Sequence, residues 1–174
     1  MDSTSIARLK KQSVVIFPDI APLFKIYSEA MRPIIHVSGS LSMHQESSLA
    51  KPILCIEADK KLQLVNNFEI FYFLKNSDID QQRLSQNLLI ASISEEQFCI
   101  RYVFYELIEI ITKYQKKLNL ELIYKQLDRY LTLEMKQQIF DKNVFAAATF
   151  YKLINVQEQT YYNRCKGRVK NAEF

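Results

Sequence analysis

The chain has 174 residues, 48% hydrophobic and 24% charged, with only 2 Gly and 4 Pro, which suits one packed core, or a core with a small appendage, and excludes a loop-rich or disordered protein. Its three cysteines, Cys55, Cys99 and Cys165, are far apart and lack metal or redox spacing, so free thiols in a reducing, cytoplasmic setting are expected. The net charge of +4 is uneven: six basic residues from Lys142 to Lys170 face Glu158 alone, a local +5 that leaves −1 for the rest, and such an end is either a nucleic-acid footprint or a solvated helix.

Residues 1–13 are polar and expected to be weakly ordered. Val14–Phe17 is a short β-branched run stopped by Pro18, and reads as a strand. Residues 20–31 have apolar positions at helical spacing, and Pro33 predicts the end of that helix. Residues 33–37 then read as a strand, Ser38-Gly39-Ser40 as a turn, and 40–50 as a Ser-rich loop. Ile53–Ile56 and Leu62–Val65 predict a hairpin around Ala58-Asp59-Lys60-Lys61. A helix starting near Asn67 carries Phe68, Ile70, Phe71, Phe73 and Leu74, and is apolar around much of its circumference. Leu88–Ile93 is a further strand. Ser94 and Gln97 have the spacing of a capping box, which predicts a helix from there to about Leu118. Further helical patterns cover 120–131 and 133–140. Beyond Asp141, two short helices, 144–154 and 157–166, flank Asn155-Val156.

The fold class expected is α+β: a small mixed sheet with helices, followed by an all-helical C-terminal part. The expected division is an α/β domain over 1–115 and a helical region over 116–174. Eleven Phe and ten Tyr without Trp read first as core packing.

The piece Lys51–Lys75 reads as a Pro-Ile-led strand, a second strand, a turn and a helix. It resembles the ParB/sulfiredoxin superfamily. Leu89–Gln97, a strand running into an acidic helix start, is similar in type and order to that superfamily's downstream piece. Together they cover about residues 51–108. The resemblance implies a ParB-like sheet whose turn, in the family, holds a phosphate with Gly, helix-end amides and Arg. Here that turn is Asn66, Asn67, Phe68, Glu69, Ile70. Asn67 takes the Gly place, Glu69 the place of His or Arg, and Ile70 the place of Arg. Phosphate donors are therefore missing, and nucleotide hydrolysis is not expected. Sulfiredoxin chemistry needs a Cys in the turn, whereas the nearest is Cys55 on the strand before it.

Phe150–Arg164 resembles a helix-turn-helix, with Ile154 and Val156 flanking Asn155. Asn155 is suited to the left-handed conformation that Gly often takes in this turn. Lys152, Gln157, Gln159, Thr160, Asn163, Arg164, Lys166, Arg168 and Lys170 are the candidate DNA-binding residues. Their side chains suit base edges and phosphates. A plain helical hairpin that closes the fold is the other reading of the same segment.

His36 and His44 are the only histidines and make no metal site by themselves, so no metal and no cofactor is expected. No apolar run is long enough to cross a membrane. Glu95-Glu96 reads as helix capping rather than as a catalytic pair, and no catalytic residue is assigned. Two functions follow. One is a non-enzymatic protein of ParB-like descent that binds duplex DNA, of plasmid, phage or other mobile-element type. The other is an inhibitor or immunity-type module that binds a protein partner. A nucleotide-dependent enzyme or nuclease is the weaker third. Neither the oligomeric state nor the identity of a partner follows from the sequence.

Overall fold

The computed structural model describes residues 15–35, 51–58, 61–69 and 90–157. Within these residues the chain is α+β. The sheet has four strands in the order β1-β3-β2-β4: β1 (Val15–Ile16), β2 (Ile53–Ala58), β3 (Lys61–Leu64) and β4 (Ile90–Ile93). β2 and β3 form the expected hairpin, antiparallel with Cys55 opposite Leu64 and Ala58 opposite Lys61. β1 lies parallel to β3 and β4 parallel to β2. Side chains alternate across a strand, and Ile53, Cys55, Leu62 and Leu64 on one face are fully or almost fully buried.

Phe17 and the single turn Pro18–Ile20 lead into α1 (Ala21–Ile26). The chain then widens into a π-helical turn, Tyr27–Met31, and continues as α2 (Arg32–Ile35). This corrects the expected strand: residues 33–35 are helical. A proline ring clashes with the carbonyl four residues back and supplies no N–H. The wide turn just upstream of Pro33 relaxes that demand, as such bulges do in helices.

The capping box at Ser94 and Gln97 is present, but it opens only the short turn Glu95–Gln97. Phe98 and Cys99 are extended, and the long helix α3 (Ile100–Tyr114) starts after them. It also ends four residues earlier than the pattern suggests. α4 (Leu120–Tyr130) and α5 (Leu133–Phe140) match their predicted ranges closely, because each has a strong N-cap. Asn119 accepts from the Leu122 amide at 3.3 Å, and Thr132 from that of Met135 at 3.1 Å. Asp141 closes α5 in the left-handed conformation, φ 56°. α6 (Ala147–Leu153) follows. The helix predicted over 157–166 lies outside the described residues beyond Gln157, as do the loop 40–50 and all but Asn67, Phe68 and Glu69 of the helix predicted from Asn67.

One apolar cluster runs through all of these elements. It includes Ile20, Leu23 and Tyr27 from the first helical stretch, Ile53 and Leu64 from the sheet, Phe104 and Ile111 from α3, Ile123 and Leu127 from α4, and Phe145, Phe150 and Ile154 from the C-terminal part. The C-terminal helices share this core with the sheet rather than standing apart from it.

Candidate functional site

Two places in the fold bear the residues singled out by sequence: the turn that ends β3, and the end of α6. The turn is held from every side. Asn66 is fully buried and ties the hairpin together. Its Oδ1 accepts from the Leu54 amide at 2.6 Å, and its Nδ2 donates to the Pro52 carbonyl at 3.2 Å. Asn67 has φ 58°, a left-handed conformation that Gly and, among side-chain-bearing residues, Asn accept most readily. It thus does the backbone work that a glycine would do here. Its Nδ2 donates to the Lys51 carbonyl at 3.0 Å. Its amide donates to Glu106 Oε1, on α3, at 2.6 Å.

Phe68 is buried against Phe24 and Tyr27. Glu69 is also buried. Its Oε1 accepts from the Tyr114 hydroxyl at 2.9 Å, and its Oε2 pairs with Lys113 Nζ at 3.2 Å. Glu69 therefore points at α3 and bonds there, where the family reading would put a phosphate-binding side chain. Ile70 lies outside the described residues.

Sequence reasoning misses Glu106 as part of this site. It sits within the apolar stripe of α3, among buried Val103, Leu107 and Ile110, so its carboxyl enters the interior. Burial pushes that carboxyl up to about 7; the Asn67 amide and Lys51 work against the shift, Glu109 adds to it, and the Phe68 amide opposes it. Oε2 has no hydrogen-bond partner among the described residues. Lys51 bonds to Glu109 at the surface. Partial burial works against its ammonium, yet Glu109, Glu106 and Tyr102 outweigh that and hold it above the ordinary lysine range. The signal in the sequence is a lone glutamate on a helix face otherwise apolar. A buried acid needs a donor, and the donor is a backbone amide 39 residues away.

This arrangement braces the turn. The Asn67 amide, which an external anion would need, is occupied by the protein's own carboxyl group. Asn67→Ala should cost about 1–2 kcal/mol for a side chain forced into the left-handed region, with about 1 kcal/mol more for removing the bond to Lys51. Asn67→Gly should lose only the second part. Urea melts of the two variants separate these costs; equal losses would mean that φ at this position carries no strain.

At the end of α6 the chain makes a tight turn. The Asn155 amide donates to the Lys152 carbonyl at 3.3 Å, and the Val156 amide to the Tyr151 carbonyl at 3.0 Å. Asn155 has φ 53°. These are the paired bonds by which a left-handed residue ends a helix and turns the chain away. Asn155 thus takes the conformation expected from its sequence position. Ile154 and Tyr151 are buried and Val156 is half-buried, so the turn is anchored in the core. Lys152 and Gln157 are exposed. Gln159, Thr160, Asn163, Arg164, Lys166, Arg168 and Lys170 lie outside the described residues.

Among the described residues, no group of three or more His, Cys, Asp or Glu could hold a metal ion, and no helix is long and apolar enough to cross a membrane. Cys55 is buried, and burial pushes its thiol up to about 12, so it is unsuited to nucleophilic chemistry. Cys99 is exposed. Comparison with family models, with curated proteins and with solved structures returned no match.

Proposed function

We propose that the chain is a non-enzymatic DNA-binding protein of ParB-like descent, whose basic C-terminal end meets the duplex and whose α+β part serves as the platform. The observation that carries this reading is the turn at Asn155. It ends α6 with paired backbone bonds, is rooted in the core by Ile154, and stands at the entrance to the segment richest in positive charge. A core-anchored helix followed by a fixed turn is what a helix-turn-helix requires of its first half. The closed turn at Asn66–Glu69 favours the non-enzymatic side of the proposal. Its amide and its carboxylate are both engaged in internal bonds.

The test is a salt titration of duplex binding with the full chain. Neutralising Lys166, Arg168 and Lys170 together should reduce the slope of log K against log salt by up to about 0.9 for each phosphate that is no longer neutralised. Arg164→Ala should weaken binding by about 1–3 kcal/mol with a change in sequence preference if that guanidinium reads a base. Unchanged affinity and slope in these variants would reduce the basic end to solvation. Truncation at residue 141 is unsuitable as a control, because it deletes Phe145, Phe150 and Ile154 from the core.

One observation favours a protein partner instead. Tyr102 and Tyr105 are 47% and 42% exposed on one side of α3, and exposed tyrosines are enriched at interfaces. Loss of function on changing both to Ala, with DNA binding intact, would move the reading to that class.

A further inference from the structure

The carboxyl of Glu106 combines three features. It is buried, it holds the left-handed turn through the Asn67 amide, and its second oxygen has no partner among the described residues. We propose that Glu106 is a proton-operated latch between α3 and the turn that ends β3: protonated, it sits neutral against the Asn67 amide and keeps the turn closed, and on losing its proton it loosens the turn from α3.

The geometry explains the direction. An ionised carboxylate in this position has one short hydrogen bond, from the Asn67 amide, and is favoured also by the Phe68 amide, but among the described residues its second oxygen has no hydrogen bond. A charge so placed is unfavourable until water or a cation reaches it. Lys51, from the segment ahead of β2, acts on Glu106, but its ammonium bonds to Glu109 one turn further along α3. From there it already favours the Glu106 carboxylate through space, and its carbonyl is bonded to Asn67 Nδ2. Lys51 thus reaches both partners, with its carbonyl on the turn and its ammonium on α3. The other charged groups at the turn among the described residues are Glu69 and Lys113, which are bonded to each other, with Tyr114 also on Glu69. Tyr102 lies near Lys51. A neutral acid buries no such charge. The neutral form persists toward neutral pH because burial pushes Glu106 up to about 7, so ordinary changes in pH would work the latch.

The experiment is amide exchange and chemical shift of Asn67 in the full chain by NMR between pH 4.5 and 8. With exchange corrected for its intrinsic pH dependence, protection of Asn67 should fall about tenfold per pH unit below the midpoint and level off above it, since opening is linked to release of one proton. Lys51→Met should raise the midpoint, because a cation that favours the carboxylate is gone. Glu109→Gln should lower it, because a repelling anion is gone. Glu106→Gln should abolish the titration at Asn67. The proposal is overturned if Asn67 still titrates in Glu106→Gln, or if the midpoint stays in place in both Lys51→Met and Glu109→Gln. Should Glu106→Gln fail to fold, the opposite shifts in the two charge variants decide the matter alone, because both residues are at the surface and leave the core intact.

Discussion

Phe150→Ala is expected to destabilise the protein by about 3–5 kcal/mol, the range for removing a buried aromatic. Phe150 is fully buried on α6. Its ring lies 5.7 Å from that of Tyr124 on α4, 6.2 Å from Phe145 and 6.0 Å from Tyr151. Phe145 in turn stacks on Phe140 at 4.8 Å and meets Phe104 of α3 edge-on at 6.1 Å. The aromatic chain thus carries α6 into α3. Domains of this size have only about 5–15 kcal/mol of stability in total, so the loss should be visible as a large fall in the urea midpoint. Leu133→Ala is the control, since Leu133 is 68% exposed and surface changes are within about 0.5 kcal/mol. A loss at Phe150 no larger than at Leu133 would mean that α6 is an appendage. The consequence for function is direct. A helix that is part of the core is a rigid mount for whatever follows Asn155.

Local signals make most of this fold legible. The hairpin β2–β3 can be read from two apolar runs with Asp59-Lys60 between them, and α4 and α5 from Asn119 and Thr132, whose side chains cap them. Asn155 can be placed in a left-handed turn because few other residues with a side chain go there. Each of these rests on interactions within a few positions of one another. The errors have the same origin in reverse. Pro33 is a local stop signal, yet the chain passes it as helix through a π turn that no residue type announces. The capping box at Ser94 is real, but α3 begins only after the extended pair Phe98-Cys99. From sequence, the turn Asn66–Glu69 can be judged only by what it offers a phosphate. Its actual partners, Glu106, Lys113 and Tyr114, lie 39 to 45 positions downstream. No spacing rule connects them, and only the folded chain brings a carboxylate to that amide.

The same carboxylate sets the last expectation, a stability that depends on pH in a stated direction. Glu106 has a folded pKa raised from 4.5 to about 7. A raised acid binds its proton more tightly in the folded state than in the unfolded one. Its contribution is therefore full below the unfolded value, declines as pH rises through the interval, and is gone above the folded value. At 1.36 kcal/mol per unit the interval amounts to about 3 kcal/mol. Other groups titrate over the same range, so the quantity to measure is a difference. Unfolding free energies of the wild type and of Glu106→Gln should be compared by urea melts from pH 4.5 to pH 8. The wild type should lose about 3 kcal/mol relative to the variant across that span, with most of the change between pH 5 and 7. Glutamine keeps the acceptor for the Asn67 amide and cannot ionise, so any constant offset between the two proteins reports packing and hydrogen bonding alone. A difference that is flat with pH would show that Glu106 titrates as an ordinary exposed acid, and that water reaches its second oxygen in solution. A difference that slopes the other way would mean that the ionised carboxylate is the stabilised form, held by Lys51 and the turn amides more strongly than burial opposes it.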